Sequence, residues 1–414
     1  MASEPEVVVV GGGAAGIAAA ARLRDAGVSA LIVEARPRLG GRAFTDETAA
    51  GGPIDLGCGW LHSADQNPWR EIAEAQGCTI DQTPPPWARP SGPAGPMPRQ
   101  AAFLDALRSF RRRLEEAGDS GADRPAAAFL DPGGQWNGLL DAVSTYFSGT
   151  ELANVSVRDF ARYEDTGVNW RVVEGYGRAI AAHGAGLPAK LDCPVTRIDH
   201  SGRQVQVETA AGVLTADAAI VTLPSNLIAA NEDLFRPLLP EKTAAAAGLP
   251  LGLADKLFLS LSEGEEFEPE SRVFGRTDRT ATAAYHFRPF GRSQIEAYFG
   301  GAWAAELEAG GEGAFFDFAV AELTAIFGGA FARRIKPLAL HRWGSDPLAR
   351  GSYSCALPGK ADCRALLAGP VDDRLFFAGE ACSIDGYSTA HGAYQSGVAA
   401  AEQTIVTLRR RRAS

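Results

Sequence analysis

Three glycines near the N-terminus have the spacing of a phosphate-binding turn. Gly11, Gly13 and Gly16 follow an apolar run with the length and β-branching of a buried strand. Glycines at these positions allow a tight turn, bring the backbone close to a pyrophosphate and let the next helix pack on the sheet. Ala14 and Ala15 begin that helix, whose first N–H groups and dipole favour a phosphate. The run therefore predicts a dinucleotide site.

An acidic residue and a second glycine element continue this predicted site. Glu34 ends the next predicted strand about 20 residues after the last of these glycines, where a carboxylate can accept both ribose hydroxyls. Ala35 and Arg36 follow it directly, and we assign both to the same site. The chain then reaches Gly41 and Arg42. A solvated basic loop would not need the paired glycines that precede this arginine.

The rest of the chain must supply the sheets and helices that hold these turns. Residues 218–222 and 373–378 have the composition of buried strands, and residues 391–408 form the last predicted helix. Residues 257–261 and 295–299 suggest a second sheet. Strands and helices that alternate around a glycine turn indicate an α/β fold.

Two further stretches differ from these strands in their predicted secondary structure. Residues 76–187 are mainly helical, with several glycine breaks. Within them, residues 83–98 are dense in proline and glycine and predict a loop or lid.

Composition excludes several classes of function. The 414 residues carry a formal net charge of −10, which argues against a nucleic-acid surface and weakly favours a cationic substrate. No apolar run approaches the roughly 20 residues of a membrane span. The six cysteines form no closely spaced pair, and residues 1–6 are too short and polar for an export signal. We therefore expect reduced thiols, a cytoplasmic location and no metal site.

Several segments together resemble the flavin-containing amine oxidase family, which includes monoamine oxidases, polyamine oxidases and lysine-specific histone demethylases. The resemblance covers nearly the whole chain in the same order and implies FAD as cofactor. It rests on the glycine element that ends at Arg42 and on residues 55–62, 193–198, 377–382 and 391–397.

The resemblance implies an α/β fold with a doubly wound FAD-binding domain, Rossmann-like and of the glutathione-reductase type. A substrate domain of α+β type is inserted into it. We predict that the FAD domain comprises residues 1–75, 188–245 and 365–414, and that the substrate domain comprises residues 76–187 and 246–364.

The resemblance also implies how the cofactor is held. Arg42 would brace the pyrophosphate, and the Val195 backbone would hold the adenine. Glu380 would hydrogen-bond the ribityl–phosphate region, although it could instead be a helix N-cap. The start of the last helix would direct N–H groups at the flavin N1/C2=O region, where negative charge accumulates on reduction. The further residues assigned to this site are Gly57, Gly59, Trp60, Gly379, Thr389 and Ala390.

Three residues are implied to serve catalysis. The family carries a lysine at the position of Lys256, joined through a water to flavin N5, where an ammonium could help O₂ accept electrons. The alternative is a lysine at a strand edge, paired with Asp255. Trp343 and Tyr353 match the family's aromatic element beside the flavin, which would orient the amine. The alternative for both is a place in the core. Further pocket candidates are His62, Tyr285, His286, Phe287, Tyr298 and Thr389.

Two positions depart from the family pattern. Monoamine oxidases bond the flavin to a cysteine immediately before the tyrosine equivalent to Tyr353, and here that residue is Ser352. FAD is therefore predicted to bind non-covalently. Monoamine and plant polyamine oxidases carry a second cage tyrosine where this chain has Thr389, as the histone demethylases do. Whether Tyr387 completes an aromatic cage stays open.

The predicted function is FAD-dependent oxidation of a small amine to an imine. A hydride equivalent passes to flavin N5, and O₂ reoxidises the flavin to give H₂O₂. One alternative is a desaturase or protoporphyrinogen-type oxidase of the same fold, and another is a non-catalytic FAD-binding protein. The identity of the amine and the oligomeric state, with a homodimer as one option, stay open.

Overall fold

The computed structural model describes residues 4–49, 51–88, 91–92, 95–96, 98–118 and 121–413. Part of the proline-rich segment 83–98 and residues 1–3 of the N-terminal segment 1–6 therefore lie outside the described residues. Within the described ranges the chain forms twenty strands, which are β1 (Val7–Val10), β2 (Ala30–Val33), β3 (Thr45–Asp46), β4 (Ile54–Asp55), β5 (Ile80–Asp81), β6 (Ser91–Gly92), β7 (Gly95–Pro96), β8 (Arg171–Val172), β9 (Ala189–Lys190), β10 (Val195–Asp199), β11 (Val205–Thr209), β12 (Gly212–Ala216), β13 (Ala218–Val221), β14 (Phe235–Arg236), β15 (Ala254–Leu261), β16 (Ser271–Phe274), β17 (Ala284–Phe287), β18 (Gln294–Gly300), β19 (Ile335–His341) and β20 (Leu375–Phe377).

Twelve α-helices connect the strands in the same described ranges. They are α1 (Ala14–Asp25), α2 (Pro68–Ala75), α3 (Pro98–Gly118), α4 (Asn137–Ser148), α5 (Val157–Arg162), α6 (Tyr176–Gly184), α7 (Ser225–Ala230), α8 (Pro240–Ala247), α9 (Gly301–Ala309), α10 (Glu312–Phe327), α11 (Cys363–Ala368) and α12 (Ala390–Ala413). Short 3₁₀ helices lie at Pro86–Ala88, Ala126–Phe129, Leu152–Asn154, Glu232–Leu234, Gly264–Glu266, Pro289–Gly291, Gly329–Arg334 and Glu380–Cys382.

A parallel sheet of five strands forms the centre of the cofactor half, in the order β20-β13-β1-β2-β9. Its central strand β1 is buried on both faces. Val7 and Val9 face a core that α1 and α12 share, whereas Val8 and Val10 face a second core. Burial on both faces is why these strands are continuously apolar instead of alternating. The predicted α/β class is confirmed.

Two further sheets complete the architecture. The four-stranded sheet β12-β11-β10-β14 covers the second face of the central sheet. The five-stranded sheet β16-β17-β18-β15-β19 packs one face against α10. Side chains alternate between the two faces along each strand of this sheet. Lys256 and His286 lie on the other face, which lines the cavity described below.

The four strands predicted with bounds lie within a few residues of β13, β15, β18 and β20, and the last predicted helix corresponds to α12, which continues from residue 408 to Ala413. Two other regions differ from the prediction. The segment 83–98, predicted to lack regular structure, contains a 3₁₀ turn and the strands β6 and β7 in its described part. Helix α6 lies in a stretch assigned to the substrate domain, yet Tyr176, Ala179 and Ile180 pack in the core of the central sheet. The five strands of that sheet fall within the three segments assigned to the FAD domain, whose boundaries otherwise stay a prediction.

Two observations concern the cysteine thiols and the ability of the helices to span a membrane. All six cysteines are free thiols. Among the described residues, no helix combines the length and apolar character needed to cross a membrane.

Candidate active site

A large cavity opens at the carboxyl ends of the central strands. Its volume is about 1020 Å³, and its wall includes Val10, Val33 and Thr222, which end or follow β1, β2 and β13. Ligands of open α/β sheets bind outside the carboxyl ends of the strands. The volume is at the upper end of the range for small-molecule and cofactor sites, roughly 300–1,000 Å³.

Glycines make the turn between β1 and α1 narrow enough to face this cavity. Gly11 has a φ of +106°, and a Cβ there would lie 2.6 Å from Thr222 Oγ1. Gly13, Ala14 and Ala15 line the cavity at the start of α1, whose N-cap is Gly13 without a side-chain cap. The first-turn N–H groups of α1 are thus left for a ligand.

The third glycine of the motif has a different place. Gly16, which was assigned to the cofactor site with Gly11 and Gly13, does not line the cavity itself. A Cβ at Gly16 would lie only 1.9 Å from the Gly11 carbonyl oxygen. Its role is to let α1 approach the turn, as the physical meaning of the motif requires.

The Glu34 carboxylate lies in the cavity wall and can accept further hydrogen bonds. Its Oε2 accepts a hydrogen bond from Gly12 N at 2.7 Å and its Oε1 accepts one from Arg36 N at 2.8 Å. Each oxygen therefore keeps another lone pair, and two ribose hydroxyls could use these. Ala35 and Arg36 also line the cavity, and an ion pair with Asp346 at 2.8 Å holds the Arg36 side chain.

The second glycine element packs directly on the first. Gly40 N donates to Gly12 O at 2.8 Å, and a Cβ at Gly41 would lie 3.2 Å from Gly13 Cα. Gly41 and Arg42 both line the cavity. The Arg42 guanidinium donates through one nitrogen, Nη1, to Ser352 O at 2.6 Å and Glu380 Oε1 at 2.9 Å. This fixes Arg42 in place while its other N–H groups stay available for an anion.

Glu380 lines the cavity, but its hydrogen-bonding capacity is used within the protein. It accepts from Arg42, from Ser354 N and Oγ, and from Ser388 N. Burial would raise the pKa of Glu380, but the charge of Arg42 and the Ser354 hydrogen bond outweigh it and lower the pKa. A carboxylate offers about four lone-pair sites. Glu380 therefore holds Arg42 in place, and its bond to the cofactor stays a prediction.

The start of α12 closes another side of the cavity. Thr389 Oγ1 accepts a hydrogen bond from Gly392 N at 3.0 Å and so caps the helix. Thr389 and Ala390 line the cavity. A Cβ at Gly397 would lie 2.2 Å from the Ala15 carbonyl oxygen, so glycine lets α12 approach α1 closely. Two helix N-termini consequently border the same cavity.

The remaining predicted cofactor residues, Gly57, Gly59, Trp60, Val195 and Gly379, also line the cavity. A Cβ at Gly57 would lie 1.8 Å from the Arg42 carbonyl oxygen, which again indicates close packing of backbone around the site. The glycine cradle, the carboxylate with free lone pairs, the held arginine and the two helix starts fit a dinucleotide cofactor. Among the described residues, no cluster of three metal-binding side chains is found.

Lys256 lies in the cavity wall on β15, on the face opposite to the buried Asp255. Its Nζ donates to the Asp55 carbonyl oxygen and forms an ion pair with Glu296 Oε1 at 3.2 Å. Asp255 instead accepts from Trp343 N at 3.0 Å. The alternative pairing of Lys256 with Asp255 is thus wrong, because adjacent residues of a strand point to opposite faces.

A buried chain of charges continues from Lys256. Glu296 Oε2 lies 3.4 Å from His286 Nδ1, and His286 Nε2 lies 2.7 Å from Glu270 Oε2. Arg171 pairs with Glu270 at 2.5 Å. Burial alone would lower the pKa of His286, but its bonds to Glu270 and Glu296 outweigh this and raise it. An imidazole between two carboxylates must donate from both nitrogens, so the imidazolium form fits this place.

Aromatic side chains form the wall beside Lys256. Trp343 Nε1 donates to Leu56 O at 3.1 Å, and the Tyr353 hydroxyl donates to Tyr146 O. Both residues line the cavity. Tyr387 lines it as well, held by its hydroxyl bond to Asp159 O at 3.0 Å. Tyr387 is therefore part of the wall without a rearrangement.

The structure separates the predicted substrate residues into two groups. His62 and Tyr298 line the cavity, as Thr389 does. Tyr285 and Phe287 do not. Both side chains lie in the core between the third sheet and α10, where the Tyr285 hydroxyl donates to Glu322 Oε2 at 2.8 Å. Their assignment to the pocket is wrong, because they alternate along β17 with His286, which does face the cavity.

Sequence reasoning missed the residues that extend the cavity away from the cofactor turns. They come from α3, α4 and β16, and they include Arg111, Tyr146, Phe147 and Arg272. The alternation of strand β17 could have separated Tyr285 from His286. No local motif marks the arginines, because they meet only through the packing of distant elements.

The geometry agrees with comparisons to known proteins. The model of the family described as flavin containing amine oxidoreductase matches residues 14–405. The chain belongs to this family. As an amine oxidoreductase of the family it uses FAD and oxidises amines, which confirms the predicted cofactor and the oxidation of an amine.

Similar proteins of this amine oxidoreductase family come from plants. Polyamine oxidase 4 of Oryza sativa subsp. japonica is 31% identical, over 97% of this chain and 89% of the relative. Lysine-specific histone demethylase 1 homolog 1 of the same organism is 30% identical, over 98% of this chain and 53% of the relative. The solved structure of cyclohexylamine oxidase from Brevibacterium oxydans IH-35A has a TM-score of 0.75 and 22% identity, and it covers 99% of this chain and 100% of that chain. This last likeness supports the fold.

Proposed function

We propose that this amine oxidoreductase is an oxidase, which uses O₂ as its electron acceptor and acts on a small-molecule amine. The observation that carries the proposal is the position of the Lys256 ammonium in the wall of the cavity that also holds the glycine cradle. The six free thiols fit a reducing compartment, and we propose the cytoplasm as its location.

When bound, FAD would supply the redox chemistry, a two-electron oxidation of the amine to an imine whose electrons O₂ would accept as H₂O₂. The protein supplies position, desolvation and charge. We expect Glu34 to hold a ribose and Arg42 and the start of α1 to hold the pyrophosphate. Trp343, Tyr353 and their neighbours line the cavity and exclude water from the reacting amine.

His62 lines the cavity, and we propose that it accepts the proton of the amine. Its Nδ1 lies 2.6 Å from Asn169 Oδ1, and Asn169 Nδ2 donates to Gly167 O at 3.0 Å, which orients the amide. Nδ1 must therefore carry the proton, and Nε2 keeps a free lone pair. Burial lowers the pKa of His62, so the ring is neutral at pH 7. A neutral imidazole can accept the proton that an alkylammonium must lose before oxidation.

Ser352 supports non-covalent binding of FAD. Its Oγ accepts from Ala254 N at 2.9 Å and donates to Ala254 O at 2.8 Å, so it ties the loop to β15. A hydroxyl in this position offers no thiol for a bond to the flavin.

Stopped-flow measurement of both half-reactions tests the proposal. Lys256→Met should slow reoxidation by O₂ roughly a hundredfold or more, since the ammonium stabilises negative charge that develops on oxygen. Anaerobic reduction by amine should change much less. Lys242→Met is the matched control, because Lys242 is buried outside the cavity and donates to Leu366 O and Leu367 O at 2.6 and 3.0 Å.

Two other results of the stopped-flow measurement would contradict the proposal in different ways. If reduction collapses while reoxidation is unchanged, Lys256 acts on the substrate and the proposed oxygen role is wrong. If O₂ reoxidises the unaltered protein no faster than it reoxidises free reduced flavin, another acceptor serves this enzyme and the oxidase proposal fails.

A further inference from the structure

The cavity extends from the aromatic wall into an arm between α3, α4 and the third sheet. Apolar side chains dominate this arm, among them Leu107, Phe110, Leu140, Val143 and Leu152. Two arginines interrupt them, Arg111 from α3 and Arg272 from β16. The overall charge of −10 would favour a cationic substrate, so guanidinium groups in the substrate arm are unexpected.

Arg272 has no anionic partner among the described residues. Its Nε is buried without a hydrogen bond, and its guanidinium forms no ion pair in those parts of the chain. Its guanidinium carbon lies 4.6 Å from the centroid of the Phe274 ring. Burial lowers the pKa of Arg272 to about 10, and nearby Arg111 also lowers it, whereas Tyr146 acts in the opposite direction. The group therefore stays charged at neutral pH.

The carboxylates nearest in the fold are committed elsewhere. Glu322 lies behind the third sheet and accepts from Thr282 Oγ1, Ala283 N and Tyr285 OH. Glu115 and Asp165 are exposed residues in the wall of the same cavity, and their charges act on Arg111. Arg272 lacks such an anionic neighbour among the described residues.

A guanidinium that is partly buried and has no anionic partner is costly to a fold. The contact with Phe274 offsets only part of that cost, since a cation–π pair is worth roughly 0.5–2 kcal/mol. Arginine presents a planar fork of donors that matches a carboxylate. An anion brought by the ligand would supply the missing partner.

The position of Arg272 sets the shape of such a ligand. Along the third sheet, β16 is three strands away from β15, which carries Lys256. Three inter-strand spacings amount to about 14 Å between the backbones. A molecule that reacts near Lys256 and reaches Arg272 must be elongated, and an apolar spacer would suit the arm between them.

We propose that the substrate is an elongated amine with a carboxylate at its far end, which Arg272 binds. This inference rests on the proposed amine oxidation and names its substrate class. A polyamine would instead place an ammonium group beside an uncompensated guanidinium, where like charges repel. Arg272 is accordingly a specificity-determining residue.

Matched linear amines test the proposal. Hexylamine, 6-aminohexanoate and 1,6-diaminohexane differ only in the group at the end opposite to the amine. Homologues from butyl to octyl vary the distance between the two ends of the substrate. The rate constant for anaerobic flavin reduction at low substrate should be at least tenfold higher for the best aminocarboxylate than for its alkylamine, and lowest for the diamine. Arg272→Met should abolish this preference and Arg272→Lys should keep part of it.

Arg276→Met is the matched control, since Arg276 is exposed and pairs with Asp278 at 2.7 Å outside the cavity. Binding of hexanoate, followed by quenching of intrinsic fluorescence, gives a second readout that needs no turnover. It should be lost in Arg272→Met and kept in Arg276→Met. The thermal midpoint of Arg272→Met should be equal to or above that of the unaltered protein, because a partly buried charge without an anionic partner has been removed.

The outcomes separate the two proposals. If the diamines reduce the flavin faster than the aminocarboxylates and Arg272→Met changes neither, amine oxidation stands and the carboxylate inference is overturned. If no amine reduces the flavin, the proposed reaction fails for these substrates, and hexanoate binding decides the role of Arg272 by itself. Hexanoate that binds Arg272→Met as tightly as the unaltered protein overturns that role.

Discussion

The ion pair between Lys256 and Glu296 makes a quantitative prediction about stability. Burial would raise the pKa of Glu296, but the Lys256 ammonium, with help from His286, lowers it to about 2 from its usual value of 4.5. A shift of this size corresponds to about 3 kcal/mol of folding stability. Lys256→Met removes the largest favourable contribution and leaves a buried carboxylate that only His286 and Tyr298 stabilise.

The sign of the pH dependence follows from the direction of the shift. In the unaltered protein the pKa of Glu296 is lowered, so its contribution is present above pH 4.5 and is lost as the pH falls toward 2. In Lys256→Met the pKa of Glu296 should rise, so the cost is greatest at neutral pH and is relieved on acidification. The stability difference between the two proteins should therefore shrink as the pH is lowered from about 7 to about 5.

Thermal unfolding at saturating FAD measures the effect with the cofactor contribution held constant. For 414 residues that unfold as one unit, 3 kcal/mol corresponds to a midpoint lower by about 3 °C. The double variant Lys256→Met with Glu296→Gln is the control, because it removes both charges. We expect it to recover most of the loss, as pairs in direct contact are not additive.

Two results would refute this reasoning. Additive losses in the double variant would show that Lys256 and Glu296 do not compensate each other in the fold. A difference that stays constant between neutral and mildly acidic pH would show that the carboxylate of Glu296 is not the group left unpaired.

Three further predictions concern the cofactor. Glu34→Ala should weaken FAD binding at least tenfold, because it removes charge-assisted hydrogen bonds worth about 1.5–3 kcal/mol each, and an unchanged Kd in a titration of the apoprotein would contradict the ribose assignment. Acid precipitation should release all flavin into the supernatant, since Ser352 stands where monoamine oxidases carry the linking cysteine; flavin retained in the pellet would refute non-covalent binding. Gly16→Ala should lower both stability and FAD affinity, because its Cβ would lie 1.9 Å from Gly11 O, whereas Gly186→Ala meets nothing within 4 Å and should change neither.

The cofactor half of the protein was largely predictable from the sequence. The turn at Gly11 and Gly13 depends on short-range backbone geometry, and the start of α1 follows directly from it. Glu34 is placed by the length of one strand and one helix. Because these determinants are close together in the chain, the motif specifies its own structure, and all of these residues line the cavity.

The exact partners of charged side chains were not predictable in this way. Glu380 was assigned to the cofactor site, but no local pattern indicated that it also accepts hydrogen bonds from Ser354, Ser388 and Arg42. These partners are far apart in sequence, and only the packing of their loops brings them together. The same holds for Lys256, whose partner Glu296 lies on the neighbouring strand instead of beside it in the chain.

The sequence by itself determined the cofactor turn, the α/β class and, through resemblance, the family and its reaction. Local geometry and motif order carry this information. Tertiary structure alone decided which face of β17 meets the cavity, so that His286 lines it and Tyr285 does not. It also decided that Arg272 lines the substrate arm, with its Nε buried and no ion-pair partner among the described residues. Burial and pairing depend on elements from the whole chain, and no local pattern encodes them.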